Sequence, residues 1–352
     1  MTGPEVESTS TTAEFSSSCV FGGERAEIQI ASLPADALVD SRRANLSSEA
    51  NARAELAAVP WWLWWNVLSL DAPMVAIAWA LVFAKSASVE LPGAEVAALG
   101  LVVWLIYTVD RLLDGQAALP APAESLVKTT LPDRAGAFGP PLRQRHVFHR
   151  IHARSVASVA AVIAVFTATL VLTRIGEIVL RLAVPVGLIL ALYMAWVHLG
   201  RGRVMVRFPK EAAVGAVFAA GVALPTWSRI GARRWEFFLL GILFAAVCTL
   251  NCVAIDEWEN LRERDYGNDG CSLAAKDFGS GRFAVALAIC ATLMTPVIRL
   301  RGEFSAIGAA IAVSALLILM LDLMRERISA DGLRVLVDVA LLAPALVVLA
   351  FR

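Results

Sequence analysis

The sequence predicts an all-α polytopic membrane protein of nine transmembrane helices, and three observations carry that expectation. Of 352 residues, 58% are hydrophobic and 18% charged, against about 45–50% and about 25% in an ordinary soluble domain. The mean hydropathy is +0.67. Apolar stretches of roughly 20 residues recur along the chain, the length a helix needs to cross a hydrocarbon core of about 30 Å. The formal net charge is 0, so no basic surface points to a nucleic-acid partner.

Residues 1–58 stand apart. Ser8 to Thr12 and Ser16 to Ser18 are polar and no apolar period runs through them, so the segment reads as a disordered cytoplasmic tail ahead of a helical domain at 59–352. It lacks the basic start and apolar core of a secretory signal. Cys19 follows no apolar segment, which argues against a lipoprotein signal. The five cysteines are odd in number and lack zinc-type spacing; three lie in or beside apolar runs and read as small core residues.

Trp61, Trp62, Trp64 and Trp65 open the domain as an interfacial belt, where the ring is apolar and the N–H stays wet. Asp71 with Pro73 then reads as a helix start, a carboxylate cap and a proline in the first turn. Nine spans come after it, at about 71–89, 93–112, 155–174, 177–199, 211–229, 235–256, 282–300, 304–324 and 332–351. The loops orient them. Those after even-numbered helices hold 18 Lys and Arg, from Arg111 to Arg334; those after odd-numbered helices hold 8, from Lys85 to Arg301. Positive residues stay in the cytoplasm, so the even loops and the N-terminus are expected inside. The loop at about 113–154, with Pro120, Pro122, Pro132, Pro140 and Pro141, reads as a flexible cytoplasmic connection.

Two acidic clusters close the second and sixth spans. Asp110 and Asp114 are four residues apart and share a helix face. Asp256, Glu259 and Glu263 do the same at i, i+3 and i+7, and Asn260 adds a carbonyl oxygen. Carboxylates are costly at membrane depth and tend to mark function there. Mg²⁺ takes oxygen ligands and is usually held by one or two carboxylates together with substrate phosphates. Matched clusters at one side of the membrane therefore suggest a shared divalent-cation site for chemistry on a diphosphate. Arg111, Arg203, Arg207 and Lys210 belong to the same layer and would neutralise it further. The plainer alternative is that the acids pair with nearby Arg or face water.

His146, His149 and His152 form a His-x-x-His-x-x-His run amid Arg143, Arg145, Arg150 and Arg154. Contact with phospholipid heads, or with the lid of a cytoplasmic cavity, outweighs metal ligation for these histidines. Asp322 beside Arg325, and Asp338 four residues after Arg334, read as local pairs rather than as an ion pathway.

On these features the chain resembles the UbiA-superfamily intramembrane prenyltransferases. Asp110 and Asp114 match the two aspartates of the first family motif, with Ile106 where asparagine belongs. Asp256 matches the first aspartate of the second motif, with Asn260 in place of the other. The stretch from Asp265 to Gly279 is similar in texture to the family loop, and Phe208-Pro209-Lys210 resembles the basic segment that contacts diphosphate. The resemblance covers about 60–352. It implies a UbiA-like bundle in a bacterial inner membrane, with Mg²⁺-dependent transfer of a prenyl group from an isoprenyl diphosphate to a lipophilic acceptor, aromatic or otherwise. Asp110, Asp114 and Asp256 would then be catalytic and, with Glu259, Asn260 and Glu263, metal-binding. Arg111, Arg203, Arg207, Lys210 and Tyr107 would meet the substrates, although a packing role suits Tyr107 equally. The alternatives are a non-catalytic UbiA-like protein binding a lipid or partner, and a transporter.

Overall fold

In lipid there is no water to satisfy backbone N–H and C=O groups, and a helix pairs them within its own segment. The computed structural model describes residues 53–117 (apart from 55 and 58), 144–199, 210–231, 234–267 and 304–351; side chains are described for 53–114, 148–196, 211–231, 235–258, 304–329 and 331–351. No strand occurs among the described residues. A 3-10 turn, Trp61–Leu63, leads into α1 (Trp64–Val67). Then come α2 (Asp71–Ser86), α3 (Gly93–Ala117), α4 (Gln144–Ile151), α5 (Ala153–Arg174) and α6 (Glu177–Leu199). The remaining helices are α7 (Lys210–Trp227), α8 (Arg234–Gly267), α9 (Ser305–Leu323) and α10 (Ala330–Phe351).

Six of these, α3, α5, α6, α8, α9 and α10, are long and apolar enough to cross a membrane, and the chain is a membrane protein on that ground. The expected span at 71–89 is the 16-residue α2, and the segment Trp61–Val67 meets its start at 79°, the shape of a broken span or of a re-entrant loop. That at 211–229 is the shorter apolar helix α7. That at 282–300 lies outside the described residues. The expected span at 235–256 continues unbroken to Gly267.

The break corrects the reading of Asp71 as a helix cap. α2 starts at Asp71, yet no side chain caps it. Asp71 Oδ2 instead accepts a hydrogen bond from Asn66 Nδ2 at 2.6 Å and pairs with Arg111 Nη2 at 3.4 Å. Arg111 Nη1 donates to Ser69 Oγ at 2.8 Å and to the Asn66 carbonyl. Trp104 Nε1 donates to the Leu68 carbonyl at 3.1 Å. The physical reason is the turn itself. Ser69 takes φ 60° and ends α1, so the Leu68 carbonyl meets no further turn and Trp104 of α3 satisfies it, while Arg111 adds a donor to the Asn66 carbonyl, which also accepts from the Ser69 N–H at 3.1 Å. The cation lies at the C-terminal end of α1 and the carboxylate at the N-terminal end of α2, so each also meets the favourable end of a helix dipole.

α2 is central, packing against α3, α7, α9 and α10. Its Trp79 and Phe83 are fully buried; the Phe244 ring lies 4.5 Å from Trp79 and the Phe237 ring 5.2 Å from Phe83. The indole N–H of Trp79 donates to the Leu341 carbonyl of α10 at 3.0 Å. α7 and α8 approach closely at Gly215, where a Cβ would stand 2.4 Å from Thr249 Oγ1 and 2.7 Å from the Thr249 backbone nitrogen. Small residues permit such approaches between membrane helices, where packing rather than hydrophobic collapse drives association.

Two contacts set helix direction. Glu95, at the start of α3, pairs at 2.6 Å with Arg229, which lies between the end of α7 and the start of α8. Farther along, Tyr107 of α3 is within electrostatic reach of Cys248 and Cys252 of α8. α3 and α8 therefore run parallel. α5 and α6 leave most of their apolar surface exposed, as lipid-facing helices do. At the rim, Phe148 and Ile151 of α4 pack on buried Leu56, Val59, Leu63 and Val67. Ordered packing thus includes Leu56, a residue within the segment expected as tail.

Candidate functional site

Parallel α3 and α8 carry their acidic clusters to the same end of the bundle. Asp110 is half-buried and Asp114 exposed in the last turns of α3. Asp256 is half-buried on α8. Because α8 stays helical to Gly267, Glu259, Asn260 and Glu263 share its face at i+3, i+4 and i+7 from Asp256; their side chains lie outside those described. Lys210 is the first residue of α7. Arg203 and Arg207 lie outside the described residues. Arg111, expected to face a diphosphate, is buried with its guanidinium engaged at the α1–α2 break.

Other elements finish at this end. Trp258 of α8 is buried, and its indole N–H donates to Asp322 Oδ1 of α9 at 2.9 Å. Arg325 Nη1 pairs with the same oxygen at 3.2 Å, the local pair expected from the sequence. The pairing expected for Asp338 is part of a larger group. The buried Asp338 of α10 is within electrostatic reach of Asp71 and Arg111 as well as Arg334, and within hydrogen-bonding reach of Asn251 on α8. Two acids and two arginines thus gather inside the bundle, one pair from the α1–α2 break and its α3 neighbour, one from α10. Charges so placed must compensate each other, since an uncompensated buried ion costs several kcal/mol. Asp71 Oδ1 and Asn251 Oδ1 are buried with no hydrogen-bond partner among the described residues.

Between this interior group and the acidic rim lie two of the chain's three tyrosines. Half-buried Tyr107 is within reach of Cys252, Asp71 and Asp338. Tyr193 of α6 is within reach of Asp110, Glu211 of α7 and Cys252. Cys252 is half-buried and common to both tyrosines, and Cys248 is buried, consistent with small core residues. Sequence reasoning misses Tyr193 and Glu211. Their signal is slight: one tyrosine inside an apolar run, and one acid in the first turn of a helix.

Donor type and placement suit Mg²⁺ in part. Asp110, Asp114 and Asp256 offer hard oxygen ligands from two helices at one end. Among the described residues, no three His, Cys, Asp or Glu side chains are grouped to hold a metal ion. The α8 positions Glu259, Asn260 and Glu263, whose side chains lie outside those described, follow Asp256 on the same helix. Of the histidines, His149 is buried, His152 lies exposed between α4 and α5, and His146 is on α4.

No protein-family model, no curated protein and no solved structure matches this chain.

Proposed function

We propose that this protein transfers a prenyl group from an isoprenyl diphosphate to a lipophilic acceptor, at the end of the bundle where α3 and α8 present their acids. The observation that carries this reading is the parallel course of those two helices, fixed by Glu95–Arg229 at one end and by Tyr107 beside Cys252 toward the other. It brings Asp110, Asp114 and Asp256 to one end of the bundle. Asp110, Asp114, Asp256, Glu259, Asn260 and Glu263 would hold Mg²⁺, which supplies charge neutralisation to a leaving diphosphate. Arg203, Arg207 and Lys210 would add positive charge near it, while Arg111 serves the helix break. Tyr107 and Tyr193 would line the approach between rim and interior. The surrounding apolar helices would exclude water from an allylic cation, which water would otherwise capture.

The same proposal takes the protein to have nine spans in a UbiA-like arrangement, in a bacterial inner membrane, with the N-terminus in the cytoplasm. The loop charge bias, 18 against 8, supports that orientation. The test is release of diphosphate by the purified protein from prenyl diphosphates of several lengths, with and without Mg²⁺. Mg²⁺-dependent release supports the enzyme. Binding of prenyl diphosphate with no turnover of any acceptor leaves a non-catalytic lipid-binding protein instead.

One observation favours transport as a second reading. Transporters place ion sites at broken membrane helices, usually in matched pairs, and the α1–α2 break carries Asp71 and Arg111. A matching break is not seen among the described residues.

A further inference from the structure

One stretch of the chain has arginine without acid. From Arg134 to Gly176 there are six arginines and no Asp or Glu. Arg150 lies in the last turn of α4 and Arg154 in the first turn of α5. Both are exposed, and neither has an ion pair among the described residues. Arg181, Arg229 and Arg325, by contrast, each meet a carboxylate, at 2.6, 2.6 and 3.2 Å.

The corner between α4 and α5 keeps helical spacing. The His152 N–H donates to the Phe148 carbonyl at 3.0 Å, and the Val156 N–H to the His152 carbonyl at 2.8 Å. Residues four apart across the corner therefore share a face, and Arg150 and Arg154 point the same way. That way is outward. Ser158, Ala161, Val165 and Leu172 all lie within about 40° of Arg154 around α5, at about 100° per residue. All four are exposed, Val165 by 69% and Leu172 by 75%. Ala160 and Thr167, the buried residues of α5, lie about 120–140° away from Arg154. The two arginines thus stand at the head of the stripe that α5 turns to lipid. The corner belongs to the acid-bearing end of the bundle. Phe148 of α4 meets the Trp64 ring of α1 at 5.9 Å, and Arg111, next to Asp110 on α3, donates to Ser69 just past α1.

We propose that the outward side of the α4–α5 corner is a docking surface for anionic lipid heads in the adjoining leaflet, with lipid phosphates against Arg150 and Arg154 and acyl chains along the exposed stripe of α5. Two arguments select this occupant. The first is charge: two cations with no acid beside them in sequence and no ion pair among the described residues complement a lipid phosphate, and basic residues next to a membrane helix attract anionic heads. The second is position: the stripe below the arginines is apolar and exposed on a helix long enough to span, so the bilayer itself supplies the chains. A nucleic acid or a small soluble anion would match the arginines and leave the stripe uncovered. A prenyl diphosphate carries more charge, which Mg²⁺ at the acids offsets and this surface does not.

The purified full-length protein, reconstituted in phosphatidylcholine nanodiscs, tests this with trace phosphatidylglycerol or phosphatidylcholine bearing a photoreactive head. Cross-links are read by mass spectrometry on peptides covering residues 146–158. In the wild type the phosphatidylglycerol probe should label that segment at least about fivefold more than the phosphatidylcholine probe, the preference that one arginine at the surface gives. R150Q/R154Q should erase the preference and R150K/R154K should keep it. Both positions are exposed and outside the core, so the unfolding midpoint of each variant should match the wild type. Equal labelling by the two probes in the wild type overturns the proposal, as does an undiminished preference in R150Q/R154Q or a lost one in R150K/R154K. So does loss of the phosphatidylglycerol cross-link on adding equimolar geranylgeranyl diphosphate, which assigns the surface to an isoprenoid. Cross-links to a second copy of the chain in place of lipid overturn it too. None of these outcomes depends on catalysis, so the proposal stands or falls apart from the prenyltransferase reading.

Discussion

Asp71 and Arg111 close the bend between α1 and α2. Their side chains, each 7% exposed, meet at 3.4 Å between Oδ2 and Nη2, and Arg111 also donates to the Asn66 carbonyl, beside the Ser69 N–H. Arg111→Met strands the carboxylate in the interior. The expected loss is about 3–5 kcal/mol, read as a lower unfolding midpoint in detergent. Asp71→Asn/Arg111→Met should recover much of it, because no lone charge remains. An unchanged midpoint in Arg111→Met would show that something else holds the joint.

Gly215 faces Thr249 with no room for a side chain. Gly215→Val is expected to force α7 from α8 and to destabilise the protein by about 1–3 kcal/mol, the usual range for overpacking. Gly221, where a Cβ meets nothing within 4 Å, is the control. Gly221→Ala should leave the midpoint nearly unchanged. Equal effects at both positions would refute the close approach.

Asp114→Ala should abolish Mg²⁺-dependent release of diphosphate, since removing a ligand oxygen leaves charge uncompensated where the transition state needs it. Asn260→Asp should preserve or raise that activity by supplying a second carboxylate one turn beyond Asp256. Should Asn260→Asp be inactive while Asn260→Ala is active, Glu259 or Glu263 becomes the ligand instead. The measurement is diphosphate release by each purified variant, with and without Mg²⁺.

Reporter fusions after residues 130 and 270 should report the same compartment, because both come after acid-bearing helices that run in parallel, and the charge bias of 18 against 8 makes it the cytoplasm. Opposite compartments for the two would remove the shared site altogether.

Helix content was legible because it rests on length and apolarity, which α3, α5, α6, α8, α9 and α10 carry plainly. Pairing of Asp322 with Arg325 was legible because the chain stays turned past the end of α9, so residues three apart still meet. The break at 68–70 was not. Nothing local marks Ser69 for φ 60°, and the partners that stabilise it, Trp104 and Arg111, lie on another helix. Asp71 beside Pro73 imitates an ordinary helix start, so its ion pair was hidden. Arg111 looked available for substrate because its neighbour Asp110 faces the rim, yet adjacent helical residues point about 100° apart. Asp338 read as a local pair, whereas its other neighbours come from segments far away in sequence. Tyr193 and Glu211 are visible only once α6 and α7 are set beside α3.

The break also leaves a short helix on its far side. α2 has 16 residues and its neighbour α7 has 18, rises of about 24 and 27 Å at 1.5 Å per residue. α10, packed on the other side of α2, has 22, or about 33 Å. A hydrocarbon core of about 30 Å fits the longer helix and overshoots the shorter two. Where α7 meets lipid, the bilayer must therefore thin locally, and α2 carries the same shortfall inside the bundle. The protein consequently has an uneven girdle, and bilayer thickness becomes a variable that acts on the joint at Asp71 and Arg111 without any ligand at all.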